Sequence, residues 1–314
     1  MSKRNRPAEI DRRQWFGLAG GGVVAAALSS TVAACSSKDP DAVPAPADPP
    51  GAPAPADPTL VRVLSVPTAV EGNVLPELIK EFEQQTSYRV QLAANPLLYD
   101  LARDGKADLL VSHYGHRAAE AFVLEGSGEW PRTIFSNQMA LVGPPADPAR
   151  VRGLDDASEA FRRIAESRSK FVLNELDGVR YLSDILWNAA GRPDRTGWWI
   201  EPKASRGGAI KHASALGAYA LWGLTPFLRL DGQSPVNLEP LVLADPLLQR
   251  MMVSIIVKPS GLRATNTAGA TALQTYLLEA ATQARIRTIR YPGKHVVTWV
   301  PAGRHNRTAM LPRG

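Results

Sequence analysis

Ser65 and Thr68 stand at the end of a short apolar run, VRVLSV (61–66), just ahead of a segment with helical spacing. Hydroxyls placed there can cap the helix, or they can donate to an anion held at its N-terminus, and both readings stay open. His113, Tyr114 and His116 follow a second apolar run, ADLLVS (107–112). Two histidines at i, i+3 can share a metal with a carboxylate, but no third ligand is identifiable nearby, so these are read as polar loop residues. Arg206-Gly207-Gly208 precedes another helical stretch. A glycine-flanked helix start can cradle an anion, and a plain turn is the alternative. Asp177 and Arg180 share one loop, where they are expected to pair weakly with each other. The chain contains no G-x-S-x-G, P-loop, G-x-G-x-x-G or H-E-x-x-H pattern. It is therefore read as a binding protein rather than an enzyme, with no cofactor and no metal.

These residues need elements to position them. The apolar runs 61–66, 88–94, 107–112, 134–145, 170–173, 218–222, 240–244 and 251–258 read as strands, with 198–201 a further one. Helical spacing marks 72–86, 96–103, 118–124, 157–166, 182–190, 210–216 and one long final helix, 268–289. HVVTWV (295–300) could add an edge strand. Strand–helix alternation implies α/β units with right-handed crossovers. Ligands of such sheets sit at the carboxyl ends of strands, so the loops after the first, third, fifth and 218–222 strands are the places to look. Trp198-Trp199 is read as core.

The first 35 residues read as an address. A basic start leads to Arg12-Arg13, then Trp15, Phe16 and Leu18, a small-residue apolar stretch, and Val32-Ala33-Ala34-Cys35. This is the pattern of a twin-arginine export signal ending in a bacterial lipobox, with Cys35 the lipid-bearing residue. An uncleaved span is the competing reading, and the three consecutive glycines and Ser29-Ser30-Thr31 argue against it. Residues 36–59 are dominated by Pro, Ala and Asp with no apolar periodicity, so they form a tether. The sequence has 36 Lys plus Arg against 30 Asp plus Glu, a net charge of +6, and one Cys. That excludes an intrachain disulfide framework. No basic run interleaved with aromatics appears, so nucleic acid is not an expected partner.

Taken in order, LSVPTAVEGNVLPELIKEFEQQTSYRVQLAA, ADLLVSHYGHRAAEAFVLEGSG, SNQMALVGPPADPARVRGLDDASEAFRRIAE and GAYALWGLTPFLRL resemble the tungstate-binding subfamily of extracytoplasmic solute-binding proteins of ABC transporters. The resemblance spans about residues 60–285. It implies an α/β, two-lobed, type II periplasmic binding protein-like fold, each lobe a mixed, mainly parallel sheet flanked by helices. It further implies that 134–142 crosses between lobes and that the region near 240–257 returns the chain. The family's Thr-Thr-Thr-Ser loop corresponds to Ser65-Val66-Pro67-Thr68. Its Ser-Arg-Gly-Asp-x-Ser-Gly-Thr loop corresponds to the stretch from Leu173 to Arg180, with Asp177 near a family Ser. Its Asp-Arg-Gly-Thr loop corresponds to Gly223-Leu224-Thr225-Pro226, without the arginine. His113 and Arg132 match family positions. Arg132 is expected in an internal ion pair that holds the cleft, with direct ligand contact the second reading.

The expected organisation is a signal with lipobox (1–35), a tether (36–59), a two-lobed binding domain (60–290) and a basic tail (291–314). Within the domain, lobe 1 takes about 60–138 and 245–290 and lobe 2 about 139–244. The expected function is capture of a small solute, an oxyanion such as tungstate or molybdate by resemblance, for an ABC permease. Ser65, Thr68, His113, Arg132 and Arg180 are placed around the cleft, with Cys35 anchoring the exported protein at the envelope. The alternative is a diverged lipoprotein that serves as an envelope interaction or sensor module.

Overall fold

A twelve-residue strand, β4 (Arg132–Gly143), runs through the middle of the molecule and belongs to both halves of its sheet. The computed structural model describes residues 53–115, 117–260, 263–294 and 296–302. Arg12, Arg13 and Cys35, most of the tether, His116 and the end of the tail lie outside the described residues.

Before β4 come β1 (Leu60–Ser65), α1 (Pro67–Glu71), α2 (Val74–Gln85), β2 (Arg89–Ala94), α3 (Leu98–Arg103), β3 (Leu109–His113) and α4 (Arg117–Leu124). After it come α5 (Ala157–Glu166), β5 (Phe171–Val172), α6 (Asp177–Ala189), β6 (Trp199–Ile200), α7 (Arg206–Leu216), β7 (Tyr219–Gly223), α8 (Leu224–Gln233) and β8 (Glu239–Val242). The chain returns through β9 (Gln249–Ile256) and ends with α9 (Thr267–Leu278), α10 (Ala280–Ile286) and β10 (Trp299–Pro301). The strand order is β2-β1-β3-β9-β4-β7-β5-β6, with β8 and β10 also on β4. β1 is parallel to β2 and β3, and β5 is parallel to β6 and β7. The antiparallel pairs all involve β4 or β9. This is the expected crossing strand and returning strand.

The apolar residues divide accordingly. One core gathers residues from Met139 to Leu248, among them Phe161, Phe171, Trp198 and Tyr219. A second gathers the faces of β1, β3, α2, α9 and β9, together with Ile134, Phe135 and Trp299. A smaller cluster lies under α3 and α4. β4 supplies Ile134 and Phe135 to one lobe and Met139 to Val142 to the other. Trp198 and Trp199 pack edge to face with centroids 5.6 Å apart, inside the core.

Several helices differ from expectation. The helix expected over 72–86 is α2, and a short helix not expected from the sequence, α1, precedes it, the two separated by Gly72 and Asn73, the latter at φ 64. α6 begins at Asp177 rather than Leu182, and α7 at Arg206 rather than Ile210. Their first turns carry glycines and no apolar stripe, so periodicity does not reveal them. α8 was not expected as a helix, and its first turn is the stretch that corresponds by resemblance to the family's Asp-Arg-Gly-Thr loop. Pro226 falls in the helix's first turn, where a missing N–H costs nothing. The long final helix breaks at Glu279, whose backbone is extended at ψ 144.

Candidate functional site

The parallel strands of the two lobes end toward one cleft. Val66, Pro67 and Thr68 follow β1, His113 ends β3, Leu176 and Val179 follow β5, and Gly223 and Pro226 follow β7; all line a cavity of about 440 Å³. Asn137 and Met139 of β4 form its floor, and Arg206, Arg229 and Arg250 reach it from α7, α8 and β9. The cavity therefore has walls from both lobes and from both strands that join them.

Asn174 builds the second lobe's wall. It is fully buried at the end of β5. Its Oδ1 accepts the backbone N–H of Arg206 at 2.8 Å and of Leu176 at 3.3 Å. Its Nδ2 donates to the carbonyl of Arg206 at 3.3 Å. One amide thus fixes the starts of α6 and α7 beside each other. A helix start presents unpaired N–H groups and the positive end of the helix dipole. Those of α1, α6 and α8 lack a side-chain cap.

The charge balance is positive. Among the described residues three arginines line the cavity against one carboxylate, Glu71, which pairs with Arg229 across the lobes. Arg206 is exposed at the start of α7. Arg250 is half-buried, and that burial pushes its pKa below the ordinary guanidinium value. A guanidinium is not deprotonated in proteins, so Arg250 is a cation. Asn137 is 4% exposed and its Oδ1 has no hydrogen-bond partner among the described residues. Thr225, wholly buried in the first turn of α8, likewise leaves its hydroxyl unpartnered.

The structure brings together only part of the residue set read from the sequence. Thr68 and His113 line the cavity, each half-buried. Ser65 is fully buried behind the wall and its hydroxyl donates to the carbonyl of Val66 at 3.0 Å. Neither Ser65 nor Thr68 caps α1, whose N-cap is Val66. Arg132 is the first residue of β4, opposite Ser254, and is not part of the cavity wall. Five residues at about 3.3 Å each separate it from Asn137. The ion pair expected for Arg132 is not formed among the described residues. Arg180 lies on α6 outside the cavity wall and pairs with Glu175, with Glu201 at 3.9 Å. The hydrogen bond from Arg180 to Glu175 raises its pKa. The pairing expected between Arg180 and Asp177 is therefore replaced by one with Glu175. Arg206, Asn137, Trp222, Arg229 and Arg250 are lining residues that did not emerge as ligand groups from the sequence, apart from the weak anion signal at Arg206-Gly207-Gly208.

No family model matches the chain. It is 28% identical over 187 residues to a protein of Haloferax volcanii named as an ABC transporter anion-binding protein, covering 56% of this chain and 54% of that one. The alignment thus spans about half of that relative's length. It is 25% identical over 230 residues to the tungstate-binding protein TupA of Peptoclostridium acidaminophilum, covering 71% of this chain and 79% of that one. Among solved structures, the tungstate-binding protein TupA of Desulfovibrio alaskensis G20 superposes with a TM-score of 0.64 at 21% identity, covering 77% of this chain and 98% of that one. In sequence the chain is similar to a tungstate-binding TupA and to an ABC transporter anion-binding protein, and its fold is the two-lobed, type II periplasmic binding protein-like fold.

Proposed function

We propose that this protein captures a small oxyanion of the tungstate or molybdate type in the interlobe cleft and presents it to an ABC-transporter permease. The observation that carries the reading is the cavity itself. Its walls come from both lobes, it holds three arginines against one glutamate, and uncapped helix starts face it. A desolvated anion needs such donors, and no group in the wall other than Glu71 repels it. The names of the homologues point to the same ligand class.

Binding works by differential contact. An anion that touches both lobes stabilises the closed arrangement over the open one, and its affinity includes the cost of reaching closure. The ligand set that supports this reading is Thr68, His113, Asn137, Arg206 and Arg250, rather than the fivefold set read from the sequence. The protein acts outside the cytoplasm, exported by way of Arg12-Arg13 and held to the membrane by a lipid on Cys35.

Calorimetric titration of the purified protein with tungstate, molybdate, sulfate and phosphate tests the function. Saturable binding of tungstate or molybdate at micromolar concentration or tighter is the expected result. Silence toward all four would overturn the carrier reading in favour of an envelope interaction module. The anchor is checked separately by fatty-acid labelling in cells. Label on the native chain and none on Cys35→Ala is expected, and label that survives the substitution removes the anchor.

A further inference from the structure

Arg250 is the second residue of β9, the strand that carries the chain back from one lobe to the other. Its guanidinium lines the cleft, and among the described residues no carboxylate is within ion-pair distance of it. It lies against the start of α6: a Cβ placed on Gly178 would stand 3.3 Å from Nη2 and 3.4 Å from Cζ. Gly178 is the second residue of that thirteen-residue helix, and the N-cap, Leu176, offers no side-chain acceptor. A helix N-terminus carries roughly half a positive charge and a guanidinium a full one. Two positive groups thus lie side by side, with Asp177 the one acidic residue of that first turn. Asp177 is exposed and makes no ion pair with Arg250.

A second observation belongs to the same cavity. Asn137, buried in the floor of the cavity, has an amide oxygen without a donor. An amide so placed can turn its NH₂ to an anion instead. Arg206 brings a further cation to the same wall, and Glu71 is already engaged by Arg229.

We propose that Arg250 holds a dianionic tetrahedral oxyanion against the first turn of α6, so that the ligand ties β9 to the second lobe. This deepens the reading above and rests on it. The glycine at 178 is the opening that lets the guanidinium reach the helix start, since any side chain there would crowd it. Selection is by charge: an anion of the same shape with one charge fewer leaves part of the positive field uncompensated.

Tungstate and perrhenate make the test, because both are tetrahedral tetraoxo anions of nearly equal size and they differ by one charge. Both are titrated calorimetrically into the native protein, R250Q and G178A. The native protein is expected to prefer tungstate over perrhenate by about 100-fold, as the loss of one charge beside two cationic groups implies. R250Q is expected to weaken tungstate by about 30-fold, the scale of a charge-assisted hydrogen bond, and perrhenate far less, so that the preference collapses. G178A, which keeps the charge and displaces it, is expected to weaken tungstate by about tenfold. The melting temperature of unliganded R250Q is expected to equal or exceed that of the native protein, because an unpaired, desolvated cation has been removed. Tungstate affinity within threefold of native in R250Q, an unchanged tungstate-to-perrhenate ratio, or a lower melting temperature without ligand overturns the assignment while the cleft reading stands. Binding of neither anion by the native protein removes both.

Discussion

Tyr219 is wholly buried in the core of the second lobe, yet its hydroxyl is fully used. It donates to Asp147 Oδ1 at 2.7 Å and accepts the backbone N–H of Ala149 at 2.9 Å. Its phenol is raised above the ordinary value by burial, and the charge of Asp147 adds to the shift. For Asp147, burial acts to raise the carboxyl. It is outweighed by hydrogen bonds from the Arg152 N–H, the Tyr219 hydroxyl and the Val151 N–H, and the net shift is downward. Tyr219→Phe leaves a buried N–H and a half-buried carboxylate without this partner, so it is expected to cost about 1–3 kcal/mol at neutral pH by urea denaturation. The pH dependence follows from the signs. A depressed carboxyl stabilises the fold above its ordinary value of 3.8 and loses that contribution as pH falls through the folded value. The gap between native and Y219F is therefore expected to narrow below pH 3.8. A raised phenol contributes stability below its ordinary value of 10.0 that is lost as pH rises, so the variant loses less than the native protein above pH 10.0. A gap that stays constant across both ends would remove the coupling.

At the scale of elements, two helical glycines give opposite expectations. Gly269 lies in α9, where a Cβ would stand 2.5 Å from Val61 Cγ2 and 2.8 Å from Asn266 Nδ2. Asn266 caps that helix, accepting the N–H of Gly269 at 2.9 Å and donating to the carbonyls of Pro58 and Leu60, so α9 is clamped onto β1. Gly269→Ala is expected to cost about 1–3 kcal/mol in spite of alanine's better helix propensity. Gly232 lies in α8 with nothing within 4 Å of its Cβ position, and Gly232→Ala is expected to gain about 0.5 kcal/mol. Urea midpoints with unchanged slopes check both, and a stabilised G269A would mean that a Cβ fits between β1 and α9. The same physics explains what the sequence disclosed. Buried strands are continuous apolar runs, so β1, β3, β4 and β7 were legible, and with them Thr68 and His113 at their ends. Arg250 was not, because it precedes the apolar run from Met251 and reads as a solvated flank. Only the return of β9 beside β4 brings it to α6. Arg132 lies outside the cavity lining for a related reason: β4 is long enough to cross both lobes, and its first residue lies five residues before Asn137, where the strand passes the cleft.

At the scale of the molecule, the lobes are joined by more than the two crossing strands. Ile289 belongs to the first-lobe core, Tyr291 and Val296 pack against the second, and Trp299 returns to the first. Between them Lys294 pairs with Asp231 of α8 at 3.1 Å. Trp299 is 1% exposed, stacks edge-on against Phe135 with centroids 5.1 Å apart, and donates to the carbonyl of Gly72 at 2.9 Å. Its strand, β10, pairs with β4 so that Trp299 stands opposite Asn137 in the floor of the cleft. What reads in the sequence as a basic tail therefore contains, up to Ala302, a strap that backs the binding floor. Trp299→Ala removes a large side chain from a filled core and leaves a cavity beside Phe135, at an expected cost of about 3–5 kcal/mol. Because β4 supplies side chains to both cores, neither lobe can lose it and stay intact, so circular dichroism and tryptophan fluorescence are expected to report one shared unfolding transition in the native protein and in W299A alike. Oxyanion affinity is expected to fall with the substitution as well, since Asn137 loses the strand behind it. A W299A protein with native stability, or with two separated transitions, would show that β10 is an ornament on the first lobe and that the floor of the cleft stands without it.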